Sequence, residues 1–135
     1  MVIASVCLAG VILIAQDHPA EPHGHPEHQK LLNPVASTPE SVAAGGKAFA
    51  KVCAICHGAT GKGNGRLAGA MRAYGARLSD LTDATWQHGS TDGEIFVVIR
   101  DGIGPDFYMD AWQGKIPDED IWKLVNYLKT LASRR

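Results

Sequence analysis

The sequence predicts a small all-α domain of three to five helices, on three observations. Thr38, Pro39 and Glu40 form a helix start, with a capping residue, a proline at the first helical position and an acid in the first turn. Thr91-Asp92-Gly93-Glu94 has the spacing of a capping box ahead of an apolar run. Ile121, Leu124, Val125, Leu128 and Leu131 recur with the 3.6 period near the end of the chain.

Taken in order, the chain divides into three stretches. Val2 to Ala15 is apolar except for Ser5, shorter than the roughly 20 residues a spanning helix needs. It is expected to be an export signal or an uncleaved anchor over residues 1–15, with Cys7 buried within it. Residues 16–37 carry Pro19, Pro22, Pro26 and Pro34 among His18, His23, His25 and His28, and read as a semi-rigid solvated linker. Those imidazoles could hold a divalent metal, but a solvated linker is the favoured reading because no Cys or spaced carboxylate set completes a site. The folded domain is expected over residues 38–135. Its first helix carries Val42, Phe49 and Val52 and runs directly into Cys53. The Gly58–Gly65 stretch is a loop held close to something, and Met71–Ala76 is a short helical segment. Ile95–Ile99 could be a strand by its β-branching but reads better as a helix stopped at Gly102. Gly102, Gly104 and Pro105 enforce a loop. Asp118, Glu119 and Asp120 then load the first turn of the last helix, with Arg134 and Arg135 at its far end.

Composition narrows the function classes. Thirteen Lys and Arg against 14 Asp and Glu leave a formal net charge of −1, which offers no broad basic field for nucleic acid. Three cysteines, two of them three positions apart, make no disulfide framework and direct attention to a metal, a redox pair or haem attachment. Cys53-Ala54-Ile55-Cys56-His57 decides among these, because it is the C-x-x-C-H attachment pattern. Two thiols at that spacing can add to the two vinyl groups of one porphyrin, and the following His is then placed beneath the iron. A thioredoxin-like pair needs no such His and sits after a strand. A zinc site needs two further ligands at matching spacing, which the downstream sequence lacks. Gly63-Asn64-Gly65-Arg66-Leu67-Ala68 fits a dinucleotide fingerprint on paper, but no strand precedes it. With His57 on one face of the iron, the opposite ligand is expected to be Met109, 52 residues downstream on the loop before the last helix. Met71 and His88 are its rivals.

These residues resemble the class I c-type cytochromes, particularly small bacterial monohaem ones, over Thr38 to Ala132. The resemblance rests on Gly45 and Phe49, the C-x-x-C-H-G run, Gly61-x-Gly63-x-Gly65, Asp80-Leu81-Thr82, Asp92-Gly93-Glu94-Ile95-Phe96, Gly102-Ile103-Gly104 leading to Met109, and Asp120-Ile121-Trp122-x-Leu124-Val125-x-Tyr127-Leu128. It implies a class I cytochrome c fold wrapped around one covalent haem c, with the first and last helices crossing where Gly45 and Phe49 meet Tyr127. It also implies thioether links at Cys53 and Cys56, iron ligation by His57 and Met109, and one-electron transfer without catalysis of its own. Arg66 stands where a Pro is common whose carbonyl accepts a hydrogen bond from the proximal His, and any residue offers that carbonyl. Asp110 replaces the Pro that often follows the ligand Met.

The expected role is that of a periplasmic electron carrier between a donor and an acceptor protein. The alternatives are an electron-entry subunit of a membrane oxidase or periplasmic dehydrogenase, and a haem-based gas sensor. Trp86, Tyr108 and Trp112 are candidates for lining the haem. Residues 38–79 carry six basic and one acidic side chain, whereas 80–120 carry two basic and ten acidic. The basic block, with Lys51, Lys62 and Arg66, is expected to guide docking to an acidic partner.

Overall fold

The structure, a computed structural model, describes residues 21–104 and 109–133. The export segment, His18, Tyr108 and the terminal arginines lie outside the described residues. Helix α1 (Pro39–Ala48) continues through a single π-helical turn, Phe49–Cys53, into α2 (Ala54–His57), so one unbroken helical path ends on the C-x-x-C-H motif. Then follow α3 (Ala68–Ala73), α4 (Asp92–Asp101) and α5 (Asp118–Ala132). Among the described residues there are no strands, only two isolated bridges.

The helix starts form as their residues dictate. Thr38 Oγ1 accepts the Ser41 N–H at 3.2 Å while Ser41 Oγ accepts the Thr38 N–H at 3.0 Å. At α4 the Thr91 hydroxyl accepts from the Glu94 N–H at 3.3 Å and Glu94 Oε2 accepts the Thr91 N–H at 3.0 Å. Ile95–Ile99 is therefore helical, because a well-capped start overrides β-branching. The third helix sits earlier than the expected Met71–Ala76. The chain leaves the helix at Tyr74, and the turn back is closed by the Ala76 N–H on Met71 O at 3.0 Å.

The core lies where α1 and α4 pack on α5, whose Ile121, Leu124, Val125, Leu128 and Leu131 are all buried. α1 and α5 cross at Gly45. A Cβ built there would run into the Lys123 carbonyl and come within 2.9 Å of Tyr127 Cβ, so only glycine lets the two backbones meet. One turn on, the rings of Phe49 and Tyr127 lie 5.4 Å apart, as the sequence resemblance implies. α4 is fixed to α5 by Phe96 stacked on Trp122 at 3.8 Å and 10°.

The described part of the leading segment departs from the solvated linker expected of it. Residues 21–37 lie against the helical domain through two polar anchors. Glu94, 2 % exposed, accepts the His25 N–H at 2.7 Å and the Gln29 amide at 3.2 Å through Oε1. Asn126, 5 % exposed, accepts from Asn33 Nδ2 at 2.9 Å and holds the Val35 carbonyl at 3.1 Å. Both anchors are buried polar groups on helix faces, and the segment satisfies them where water cannot. Burial alone would raise the Glu94 carboxyl, but hydrogen bonds from the Thr91 and His25 N–H groups, the Thr91 hydroxyl and Gln29 outweigh it and hold its pKa at about 2.

Two outcomes follow for stability. Gly45→Ala is expected to cost about 1–3 kcal/mol through overpacking at the crossing, read from guanidinium denaturation followed by helical circular dichroism. Glu94 is bound more tightly as the carboxylate in the folded state than in the unfolded one. Its contribution, roughly 3 kcal/mol from that shift, is present above about pH 4.5 and lost as pH falls towards 2. Glu94→Gln is expected to flatten the fall in stability over that window, and an unchanged acid limb would contradict the assignment.

Candidate functional site

The π turn and α2 present Cys53, Cys56 and His57 on the wall of one cleft of about 440 Å³, whose lining is mainly apolar and includes Ile95, Ile99, Leu124 and Leu128 from α4 and α5. The helix ends at His57, and the loop that follows is tied back to it by its own donors. The Gly65 N–H bonds to Cys56 O at 3.0 Å and the Leu67 N–H to Ile55 O at 2.9 Å. With the loop's N–H groups facing the helix end, no described group accepts from His57 Nδ1, the Arg66 carbonyl included. Burial pushes the His57 pKa down, which keeps the imidazole neutral as an iron ligand must be. Burial, and then the neighbouring Cys56, push the Cys53 thiol up to about 11.

Met109 reaches the same cleft from the α4–α5 connection. It is set there by a two-bond bridge, Ile103 N–H to Met109 O at 2.8 Å and Met109 N–H to Ile103 O at 3.0 Å. The pinch depends on Gly102 at φ 74°, where a Cβ would meet the Met109 carbonyl and would come within 2.6 Å of Ala111 N. Among the described residues nothing lies within 4 Å of a Cβ built on Gly104, singled out with it in the sequence. Asp110 points outward to Lys115 at 3.3 Å.

The rival ligands line the cleft as well. Met71 does so from α3, which packs on α2 and so approaches on the His57 side. His88 does so from the loop ahead of α4, with Trp86 and Gln87 beside it. Trp112 also lines the cleft, its backbone N–H tied to the end of α4 at Ile99 O, 3.2 Å away. What the sequence does not reveal is that His88 is also brought against His23 and His25 of the leading segment, across 65 residues. No residue spacing signals that encounter, because the segment reads as solvated.

The donor set fits a covalent porphyrin. Two thiols three positions apart, a neutral imidazole and a thioether share one apolar cleft, and apolar side chains from three helices face the space between them. No helix of the described residues is long and apolar enough to cross a membrane.

Comparison with known proteins agrees with this geometry. Residues 40–128 match the family model described as cytochrome C oxidase, cbb3-type, subunit III. The chain is 32% identical over 90 residues to the cbb3-type cytochrome c oxidase subunit FixP of Bradyrhizobium sp. (strain ORS 278), covering 67% of this chain and 27% of that protein. It is 31% identical over 99 residues to subunit CcoP of Rubrivivax gelatinosus, covering 73% and 28%. The matched stretch thus spans little more than a quarter of those relatives. Among solved structures, a reducing HAO-like protein complex of Kuenenia stuttgartiensis superposes with a TM-score of 0.62 at 21% identity, over 73% of this chain and 46% of that one. Cytochrome CL of Methylophaga aminisulfidivorans does so at 0.55 and 19%, over 70% and 57%. The fold is that of c-type cytochromes, and the chain belongs to the cbb3-type subunit III family of c-type cytochrome domains, which carry covalent haem c.

Proposed function

We propose that this domain is a one-electron relay serving a membrane oxidase, with its haem held by Cys53 and Cys56 and its iron by His57 and Met109. The observation that carries the reading is the meeting of the α2 end and the Ile103–Met109 bridge in one apolar cleft. Haem c, when bound, supplies an Fe(II)/Fe(III) couple. The chain's own residues do the rest. Met109 would hold the iron opposite His57, since it enters the cleft from the α4–α5 connection whereas Met71 sits on the helix packed against α2. The apolar lining from α4 and α5 excludes water, which disfavours the extra positive charge of the oxidised form and, with Met/His ligation, favours a high potential.

The names of the relatives support the oxidase-linked role over a free-standing carrier. Placement on the periplasmic face, by an export segment or anchor over residues 1–15, belongs to the same proposal. A docking face for electron entry is carried by Ile55 and Leu67, 38% and 37% exposed, which line the cleft from outside and touch through their backbones. Lys51 and Arg66 lie beside them on the chain and Lys62 on the intervening loop. All three cations are exposed and none forms an ion pair among the described residues. By contrast Lys123 and Lys129 are engaged by Glu119, Asp120 and Asp92. Lys51, Lys62 and Arg66, of which Lys62 also acts through space on Asp80, are the charges offered to an acidic partner.

Two experiments bear on this. Met109→Ala is expected to abolish the weak long-wavelength band of a Met-ligated ferric haem and to lower the reduction potential, while Met71→Ala leaves both in place. Loss of the band on Met71→Ala alone would reassign the ligand. Detergent-solubilised oxidase is expected to co-purify with the chain. Its stopped-flow electron exchange should slow as the Debye length drops from about 30 Å to about 8 Å and on Lys51→Glu. A rate indifferent to salt would remove the docking claim, and a chain recovered only in the soluble exported fraction would remove the oxidase assignment.

A further inference from the structure

We propose that His23, His25 and His88 form a second metal centre, a three-imidazole site for a divalent first-row transition ion of the zinc type, separate from the haem iron. The three side chains are half-buried, and one ligand nitrogen from each lies within 4.8 Å of the others. His23 Nε2 and His88 Nδ1 are 3.4 Å apart. That is at the long limit of a hydrogen bond. It matches the edge of a tetrahedron whose corners lie about 2.0–2.1 Å from a central ion, which works out at about 3.3–3.4 Å.

The outer nitrogens are arranged as metal-binding imidazoles require. His23 Nδ1 donates to the Glu21 carbonyl at 2.9 Å, which fixes the tautomer and puts the lone pair on Nε2, the atom that meets His88. His25 Nδ1 lies 3.5 Å from Glu27 Oε1, the carboxylate–imidazole pairing that raises ligand basicity, and its Nε2 is turned into the protein and buried. The rings of His23 stand edge-on to both others, at 5.1 Å from His25 and 4.9 Å from His88. The backbones of His23 and His25 are held in place beside His88. The His23 N–H bonds to Gln87 O at 3.0 Å, next to His88, and the His25 N–H bonds to buried Glu94 at 2.7 Å. Three imidazoles without thiolate suit zinc, copper or nickel over calcium or magnesium, and leave a fourth position for water or a partner's side chain.

Position gives the centre its consequence. Two ligands come from the leading segment and one from the loop whose Trp86, Gln87 and His88 line the cleft. An ion there pins the segment to the rim of the haem site, so the segment's attachment becomes dependent on metal.

The haem-loaded full chain, stripped with chelator, is titrated with Zn2+ by calorimetry, and the same titration is run on His23→Ala, His25→Ala, His88→Ala and His28→Ala. One equivalent is expected to bind, with each of the first three variants weakened more than about tenfold and His28→Ala unchanged. Hydrogen exchange over residues 21–31 should slow when Zn2+ is added to the parent chain only. Equal weakening by His28→Ala, or none by His88→Ala, would mean diffuse chelation by the histidine-rich segment and overturn the centre. Should His88→Ala lose its haem spectrum, His88→Gln and zinc-edge anomalous scattering from crystals of the parent chain decide; no peak among the three imidazoles overturns it. The optical test of Met109 is independent of all these readouts.

Discussion

Everything in this fold hangs on the contact between α1 and α5 at Gly45. With no side chain in the way, the first helix lies backbone to backbone on the last at Lys123, and Phe49 slides in beside Tyr127. That contact sets the line along which the helical path runs to Cys53, Cys56 and His57. It leaves the other side of α5, at Leu124 and Leu128, as a wall of the cleft. The site is therefore a by-product of a helix crossing: the attachment motif is delivered to one wall and the core of α5 supplies another. α4, clamped by Phe96 on Trp122, completes the enclosure with Ile95 and Ile99.

Polar burial does a different job. Exposed ion pairs such as Lys115–Asp110 contribute between nothing and about 1 kcal/mol each. Glu94 and Asn126 are buried on faces that otherwise bury hydrocarbon, and leaving either unsatisfied would cost about 1–3 kcal/mol or more. Thr91 satisfies one oxygen of Glu94 and Ser41 one contact of Asn126, and residues 25–36 supply the remaining partners. The same two groups that would weaken the helical domain alone give the leading segment its address, in register, on α4 and α5.

Periodic and capped features were legible in the sequence. The apolar stripe of α5, the Thr91–Glu94 cap, the Thr38 start and the C-x-x-C-H spacing each act through residues a few positions apart, and each is where local chemistry predicts. α3 was placed three residues late, because Ala-rich sequence carries no periodic stripe and the Tyr74–Gly75 turn alone marks its end. The docking of the leading segment was not legible. Its composition of Pro, His and Gly does signal weak cohesion, but its anchors are one carboxylate and one carboxamide on distant helices. The available clue was Asn126, a polar residue directly after Val125 and beside the apolar stripe, away from the face that exposes Glu119 and Lys129. The meeting of His23, His25 and His88 depends on that docking and was hidden with it.

The π turn at Phe49–Cys53 has a consequence for how the first helical path must be read. One residue added to a turn advances an α-helix by about 100°, so the stripe that faces α5 before Ala48 is out of phase with the stripe that faces the cleft after Cys53. A single helical wheel drawn across Pro39–His57 would therefore blur two faces into none. The widened turn works as a rotary joint: it lets one rod serve as packing spar along its first half and as cofactor mount along its second, with each half free to obey its own partner.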